Sequence, residues 1–152
     1  MLLSVFVAAP AVAATNSFGV NVSVESAVGI QGEFDISSMV NKAPVSLQVF
    51  LKNYSQHIAP GASWSTTGVG MAGIVDLSSF IKLDKRIQPY VGLGLISVSY
   101  RWRGNGPNWN YSGVGSGLYV TLGARYVISP KFAADLNYND FGGLTVGANF
   151  SF

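Results

Sequence analysis

Thr145 to Phe152 reads T-V-G-A-N-F-S-F, and the chain stops on that aromatic. Leu144, Val146, Ala148, Phe150 and Phe152 share one face of an extended strand, while Thr145, Gly147, Asn149 and Ser151 share the other. A soluble strand would bury the first face in a core. No helix-period segment elsewhere in the mature chain is available to cover it, so the simplest cover is lipid. A strand in lipid needs a partner on both edges, and that requires a closed barrel.

Composition points the same way. The chain has 152 residues, room for one domain of ordinary size. Charged residues make up 11%, against a usual share of about 25%, and a water-soluble globule this poor in charge would struggle to cover its outside. Past the N-terminus no run of about 18 apolar residues exists, so the apolarity must be carried by alternating strands. The formal net charge of +2 is too small to argue for a nucleic-acid partner. There is no Cys, which excludes disulfides and thiolate metal sites. A lone histidine offers no metal-ligand spacing. Gly113-Val114-Gly115-Ser116-Gly117 precedes a strand rather than a helix, so it makes no phosphate loop and implies no cofactor.

Residues 1–14, M-L-L-S-V-F-V-A-A-P-A-V-A-A, read as a secretory signal with an apolar centre and small residues suited to cleavage after Ala13 or Ala14. They depart from the pattern in having no Lys or Arg before the apolar run. The barrel domain is expected over 15–152.

The mature chain holds strands and turns only. Phe18, Val20, Val22 and Val24 alternate with Gly19, Asn21, Ser23 and Glu25; after a very tight hairpin near Ser26, Val28, Ile30, Phe34 and Ile36 alternate with Gly29, Gln31, Glu33 and Asp35. Val45, Leu47, Val49 and Leu51 alternate with Ser46, Gln48, Phe50 and Lys52, and a polar loop is expected over Ser55–Ser63. Val69, Met71, Val75 and Leu77 then oppose Thr66, Gly68, Gly70, Ala72 and Asp76. The fifth segment, Arg86–Arg103, is ambiguous. Its upper half sets Ile96, Val98, Tyr100 and Trp102 against Ser97, Ser99, Arg101 and Arg103, whereas Val91, Leu93 and Leu95 have the opposite parity. Either a β-bulge resets the register or apolar residues face inward beside Gly92 and Gly94. Three further segments end at the C-terminus, making eight in all, an even count with both ends on one side.

Charge then separates the two faces. The acids Glu25, Glu33, Asp35, Asp76 and Asp135 and the bases Lys52, Arg101, Arg103 and Arg125 share a parity with Ser, Thr, Gly and Asn. The apolar parity carries essentially no charge, as a bilayer demands, since a Lys or Arg at mid-depth costs about 2–4 kcal/mol. Eight strands enclose a space just wide enough for their own side chains. The expectation is therefore a plugged interior laced with ion pairs among those nine residues. Two aromatic belts are expected at the membrane interfaces. Phe34, Tyr126, Phe132, Phe150 and Phe152 would form the belt at the turn end, and Trp64, Tyr100, Trp102, Trp109 and Tyr111 the belt at the loop end. A sugar- or apolar-ligand shelf built from Trp102, Trp109 and Tyr111 is the alternative for the second group.

With these residues in view, the chain resembles the small eight-stranded outer-membrane barrels of Gram-negative bacteria, of the OmpA-like or opacity-protein-like kind. The last eight residues resemble that family's C-terminal assembly signal at Thr145, Gly147, Phe150 and Phe152. Gln88-Pro89-Tyr90-Val91-Gly92-Leu93-Gly94 resembles its fifth strand, and Gly123 to Pro130 its sixth strand end and short periplasmic turn. The resemblance implies an all-β, closed, antiparallel up-and-down transmembrane barrel in the bacterial outer membrane. It implies outer-membrane lipid and lipopolysaccharide as surroundings, insertion by the barrel assembly machinery with periplasmic chaperones, and a monomer. Short first and fourth loops weaken an adhesin role.

Three functions are compatible with this reading: a structural, envelope-integrity or surface-interaction barrel; a binding or conduit barrel for a small molecule; and a lipid A-modifying enzyme. The enzyme needs a His base, a Ser and an acidic orienter near the outer leaflet. Barrel deacylases carry the His and Ser on strand seven, but Asp135-Leu136-Asn137-Tyr138-Asn139 holds neither, which leaves only His57 with Ser55 in the second loop. No catalytic residue is assigned on that basis.

Overall fold

The computed structural model describes residues 16–152 apart from 105 and 107–109. The expected leader at 1–14 and Trp109 lie outside the described residues. Eight strands follow in order: β1 (Ser17–Ser23), β2 (Ala27–Asp35), β3 (Val45–Ala59), β4 (Ala62–Asp76), β5 (Ile87–Arg103), β6 (Tyr111–Ser129), β7 (Phe132–Asn139) and β8 (Gly143–Ser151). Each pairs antiparallel with its neighbour, and β1 pairs with β8 to close the barrel. No helix among the described residues is long and apolar enough to cross a membrane.

Local chemistry sets the hairpins. The β1–β2 turn is three residues, closed by the Ser26 N–H donating to the Ser23 carbonyl at 3.0 Å. Ser26 takes the left-handed conformation, φ +69°, that a three-residue hairpin requires at its last position. Pro60 and Gly61 turn β3 into β4, with Gly61 at φ +81°, as a type II turn demands.

Alternation divides the walls as charge predicts over most of the barrel. Phe18, Val20 and Val22 on β1, Val146 and Phe150 on β8, and Leu118, Val120 and Leu122 on β6 are exposed outward. Asn21, Gln31, Thr121, Asp135, Asn137 and Asn149 are buried inside. Strand β5 resolves its ambiguity without a bulge. Its pairing runs unbroken with β4 from Tyr90 to Arg103 and with β6 from Ile87 to Trp102. The parity of its lower half therefore persists to the top: Ile96 is buried inside, and Arg101 and Arg103 are exposed on the outer face.

The wall is uneven in height. Strands β1, β2, β7 and β8 have 7, 9, 8 and 9 residues, whereas β3 to β6 have 15, 15, 17 and 19. Pairing of β2 with β3 ends at Ala27 and Tyr54, and pairing of β7 with β6 ends at Asn139 and Thr121. Above those rows β3 to β6 continue alone as an open four-stranded sheet. Most of the polar loop expected over Ser55–Ser63 is thus strand. Ser55 and His57 share one face and Gln56 takes the other, with the apolar Ile58 and Ala59 at a register shift before the turn, so no alternation marks the stretch, and pairing with β4 supplies the order.

The barrel interior and the raised sheet as candidate functional sites

Five of the nine charged residues expected inside lie there: Glu33, Lys52, Arg125 and Asp135 deep in the lumen, and Asp76 at its turn end. Arg125 donates both terminal nitrogens to the two carboxylate oxygens of Glu33, and Ser46 Oγ also donates to Glu33 Oε1. This forked geometry is the strong form of the contact. The guanidinium also lies 4.5 Å from the centre of the Tyr90 ring, and Tyr90 OH donates to Asp135 Oδ1 at 2.9 Å. Lys52, 3% exposed, donates to Tyr119 OH at 3.1 Å and sits near the Phe50 and Tyr119 rings, at 5.5 and 5.1 Å from their centres. Two acids and two bases thus balance in a space where an unpaired charge would be costly.

The other four lie elsewhere. Glu25 is exposed in the β1–β2 turn. Asp35 accepts the Ser37 backbone N–H at 2.8 Å and caps the turn at the end of β2, as the inward Asp76 does for the Ser78 N–H at 2.7 Å at the end of β4. Arg101 and Arg103 are on the outer face, because β5 contains no register break. Among the described residues the single ion pair is Arg125–Glu33, so the interior is not the broad ionic lattice expected.

Neutral groups do more of the filling than charge alone suggested. Asn21 donates to Gln31 and Gln31 to Asn149, both at 3.1 Å. Asn139 donates to Asn137 at 3.0 Å and to Thr145 at 3.1 Å, and accepts the Gly142 N–H at 2.8 Å. On the opposite wall Phe50, Ile74, Tyr90, Ile96 and Tyr119 form an apolar plug, none more than 6% exposed. The Phe50 and Tyr119 rings lie 4.2 Å apart, and Phe141 from the β7–β8 turn packs against the plug from above. Glycine makes room for it: a Cβ on Gly70 would come within 2.5 Å of the Phe50 ring. The sign of this plug was present in the sequence, since Phe50 and Tyr119 share the polar parity. Below the plug, a cavity of about 310 Å³ opens at the turn end, with Glu33, Asp76 and Arg125 in its lining.

The terminal strand's special residues have definite places. Thr145 is buried against Asn139, and a side chain on Gly147 would meet the Val20 carbonyl at 2.7 Å. Phe150 faces outward beside Phe132, ring centres 5.1 Å apart. Phe152 is 76% exposed, with its N–H donating to the Asn16 carbonyl. The outward Phe34, Tyr126, Phe150 and Phe152 give a turn-end girdle.

The loop-end belt is overturned. Trp64, Tyr100 and Trp102 lie on the inward parity of the raised sheet, continuous with the buried Ala72, Ile74, Tyr90 and Ile96, and Tyr111 pairs directly with Trp102 on that side. Trp64 and Trp102 meet edge to face with ring centres 6.0 Å apart, and the Tyr100 and Tyr111 rings lie 5.9 Å apart, tilted by 31°. Tyr100 rests over Gly113, and nothing lies within 4 Å of where a Cβ on Gly115 or Gly117 would stand. This face is an open, glycine-floored aromatic surface above the barrel mouth. His57 pairs across from Ser63 on the outer face, two residues from Ser55, and no Asp or Glu shares that part of the sheet.

No protein-family model matches the chain, and no curated protein matches it. Solved structures do. Neisserial surface protein A superposes with a TM-score of 0.63 at 18% identity, covering 90% of this chain and 93% of that one. The N-terminal β-barrel domain of Pseudomonas aeruginosa OprF gives 0.63 at 13%, covering 91% and 97%. Ail, the attachment invasion locus protein of Yersinia pestis, gives 0.54 at 10%, covering 91% and 94%. With an uncharged apolar belt around a closed and filled interior, the chain has the fold of the small eight-stranded β-barrels of the bacterial outer membrane.

Proposed function

We propose that this barrel serves as a closed structural element of the outer membrane with a surface-interaction face, and does not conduct. The observation that carries the reading is the plug: Phe50, Ile74, Tyr90, Ile96 and Tyr119 are all buried, with Lys52 and Asp135 hydrogen-bonded to the two tyrosines. A side-chain-filled lumen of eight strands leaves no aqueous path. The test is planar-bilayer recording of the purified barrel. Absence of discrete conductance steps is expected, and steps that persist after the barrel is shown to be folded would overturn the reading.

A second reading, binding of a small apolar or sugar ligand, is favoured by the raised sheet. Trp64, Tyr100, Trp102 and Tyr111 present ring faces and edges beside bare backbone at Gly115 and Gly117. Aromatic surfaces of this kind suit the faces of sugar rings. The similar Ail has been crystallised with the heparin analogue sucrose octasulfate, which is consistent with a surface role for barrels of this shape. Quenching of tryptophan fluorescence by oligosaccharide, lost in Trp102→Ala, is the expected sign.

A lipid-modifying activity has less to support it. His57 has hydroxyls near it on its own face but no carboxylate to orient it.

A further inference from the structure

On the outer face, the last apolar residue of β4 is Val69, opposite Ser97, and that of β5 is Leu95, one row lower between Met71 and Leu118; on β6 Val114 stands opposite Ser99. Above Val69 the face of β4 and β5 changes character at once. Thr67 stands opposite Ser99, Ser65 opposite Arg101, and Ser63 opposite Arg103. These six side chains line a cleft of about 360 Å³, within the range of small-molecule sites, roughly 300–1,000 Å³. Both arginines are exposed, and neither has an acidic partner among the described residues. They are two residues apart on one face of a strand, so their stems rise about 7 Å apart. No Asp or Glu occupies an outward position of the raised sheet, and Ser55 and Ser112 extend the hydroxyl lining on either side.

We propose that this cleft binds phosphate groups carried on the saccharide of an outer-leaflet glycolipid. Two like charges held together without a counter-charge are relieved by an anion. Arginine forks and hydroxyl donors suit phosphate oxygens. Height selects the source. Polar headgroups extend roughly 5–8 Å beyond the hydrocarbon, whereas the arginine rows stand two and three steps of about 7 Å along the tilted strands above the row of Val69. A phosphate raised on a sugar reaches them better than one directly on a glycerol backbone. The proposal needs the outer-membrane setting but not the closed lumen, so a conductance result does not bear on it.

The test is titration of the detergent-solubilised full chain, followed by backbone amide NMR, with lipopolysaccharide either intact or phosphatase-treated. Intact lipopolysaccharide is expected to shift Thr67, Ser99 and Arg101. The treated form should bind roughly tenfold more weakly, as should the R101Q/R103Q variant towards intact lipopolysaccharide. K82Q/K85Q, which removes the same charge from the turn between β4 and β5, should bind like the parent. Equal binding of the treated form, or shifts spread evenly around the barrel wall, overturns the proposal. Phosphatidylglycerol or inorganic phosphate binding as tightly at matched phosphate concentration overturns the choice of source. Should R101Q/R103Q fail to show heat-modifiable gel mobility, the parent chain with the two lipopolysaccharide forms decides alone.

Discussion

Arg125 illustrates how single residues hold this interior. Its guanidinium is shared between the Glu33 carboxylate and the face of Tyr90, with side-chain exposures of 16% for Arg125 and 8% for Glu33. Removing one partner of a buried pair costs more than removing both, because the survivor keeps its charge without compensation. Glu33→Gln is therefore expected to destabilise the barrel by about 3–5 kcal/mol. Glu33→Gln combined with Arg125→Gln should cost clearly less than the sum of the two single changes. Urea unfolding from lipid vesicles measures both, and strict additivity would mean that the two groups do not act as a pair.

The strands of β3 to β6 each cross two environments, and the boundary is sharp. On β6 the outward positions are Leu122, Val120 and Leu118, then Ser116, with Val114 the one apolar residue before Ser112. Leu122→Arg places a charge against lipid tails and should cost about 2–4 kcal/mol, while Ser116→Arg, near or above the interface, should cost no more than about 1 kcal/mol. Equal losses in vesicle unfolding would contradict the position of the boundary. The same boundary explains β5. Below it, small or apolar residues fill the inward positions and Val91, Leu93 and Leu95 meet lipid. Above it the outward positions meet water, so Arg101 and Arg103 stand there without penalty.

For the whole molecule, closure of β1 on β8 is the step that removes the last open edges within the membrane. If the terminal residues direct that step, Phe152→Ala should slow insertion into vesicles, read as the rate at which the heat-modifiable band appears. Phe152 is largely exposed and touches little, so the final stability of the inserted barrel should change far less than the rate. Unchanged insertion kinetics would separate these residues from assembly.

The period-two pattern made the strands of the closed barrel legible, along with their number and which residues share a side. Val20 with Val22 and Asn137 with Asn139 needed nothing beyond alternation and the scarcity of charge. The ion pair of Glu33 and Arg125 was legible only as two charges on one parity; their meeting depends on β2 and β6 facing each other across the lumen. Ile96, Tyr100 and Trp102 show where local pattern stops. Alternation tells which side chains travel together, but not which side they end on, and β5 reads as amphipathic in opposite senses along its length. Unbroken pairing with two neighbours forces one parity to the top, and the height of the wall decides what each face meets. Beyond the hydrocarbon the solvent outside is water, so the preference that points apolar groups outward no longer applies. The aromatic residues there stay on the inward side of the sheet while the arginines turn out.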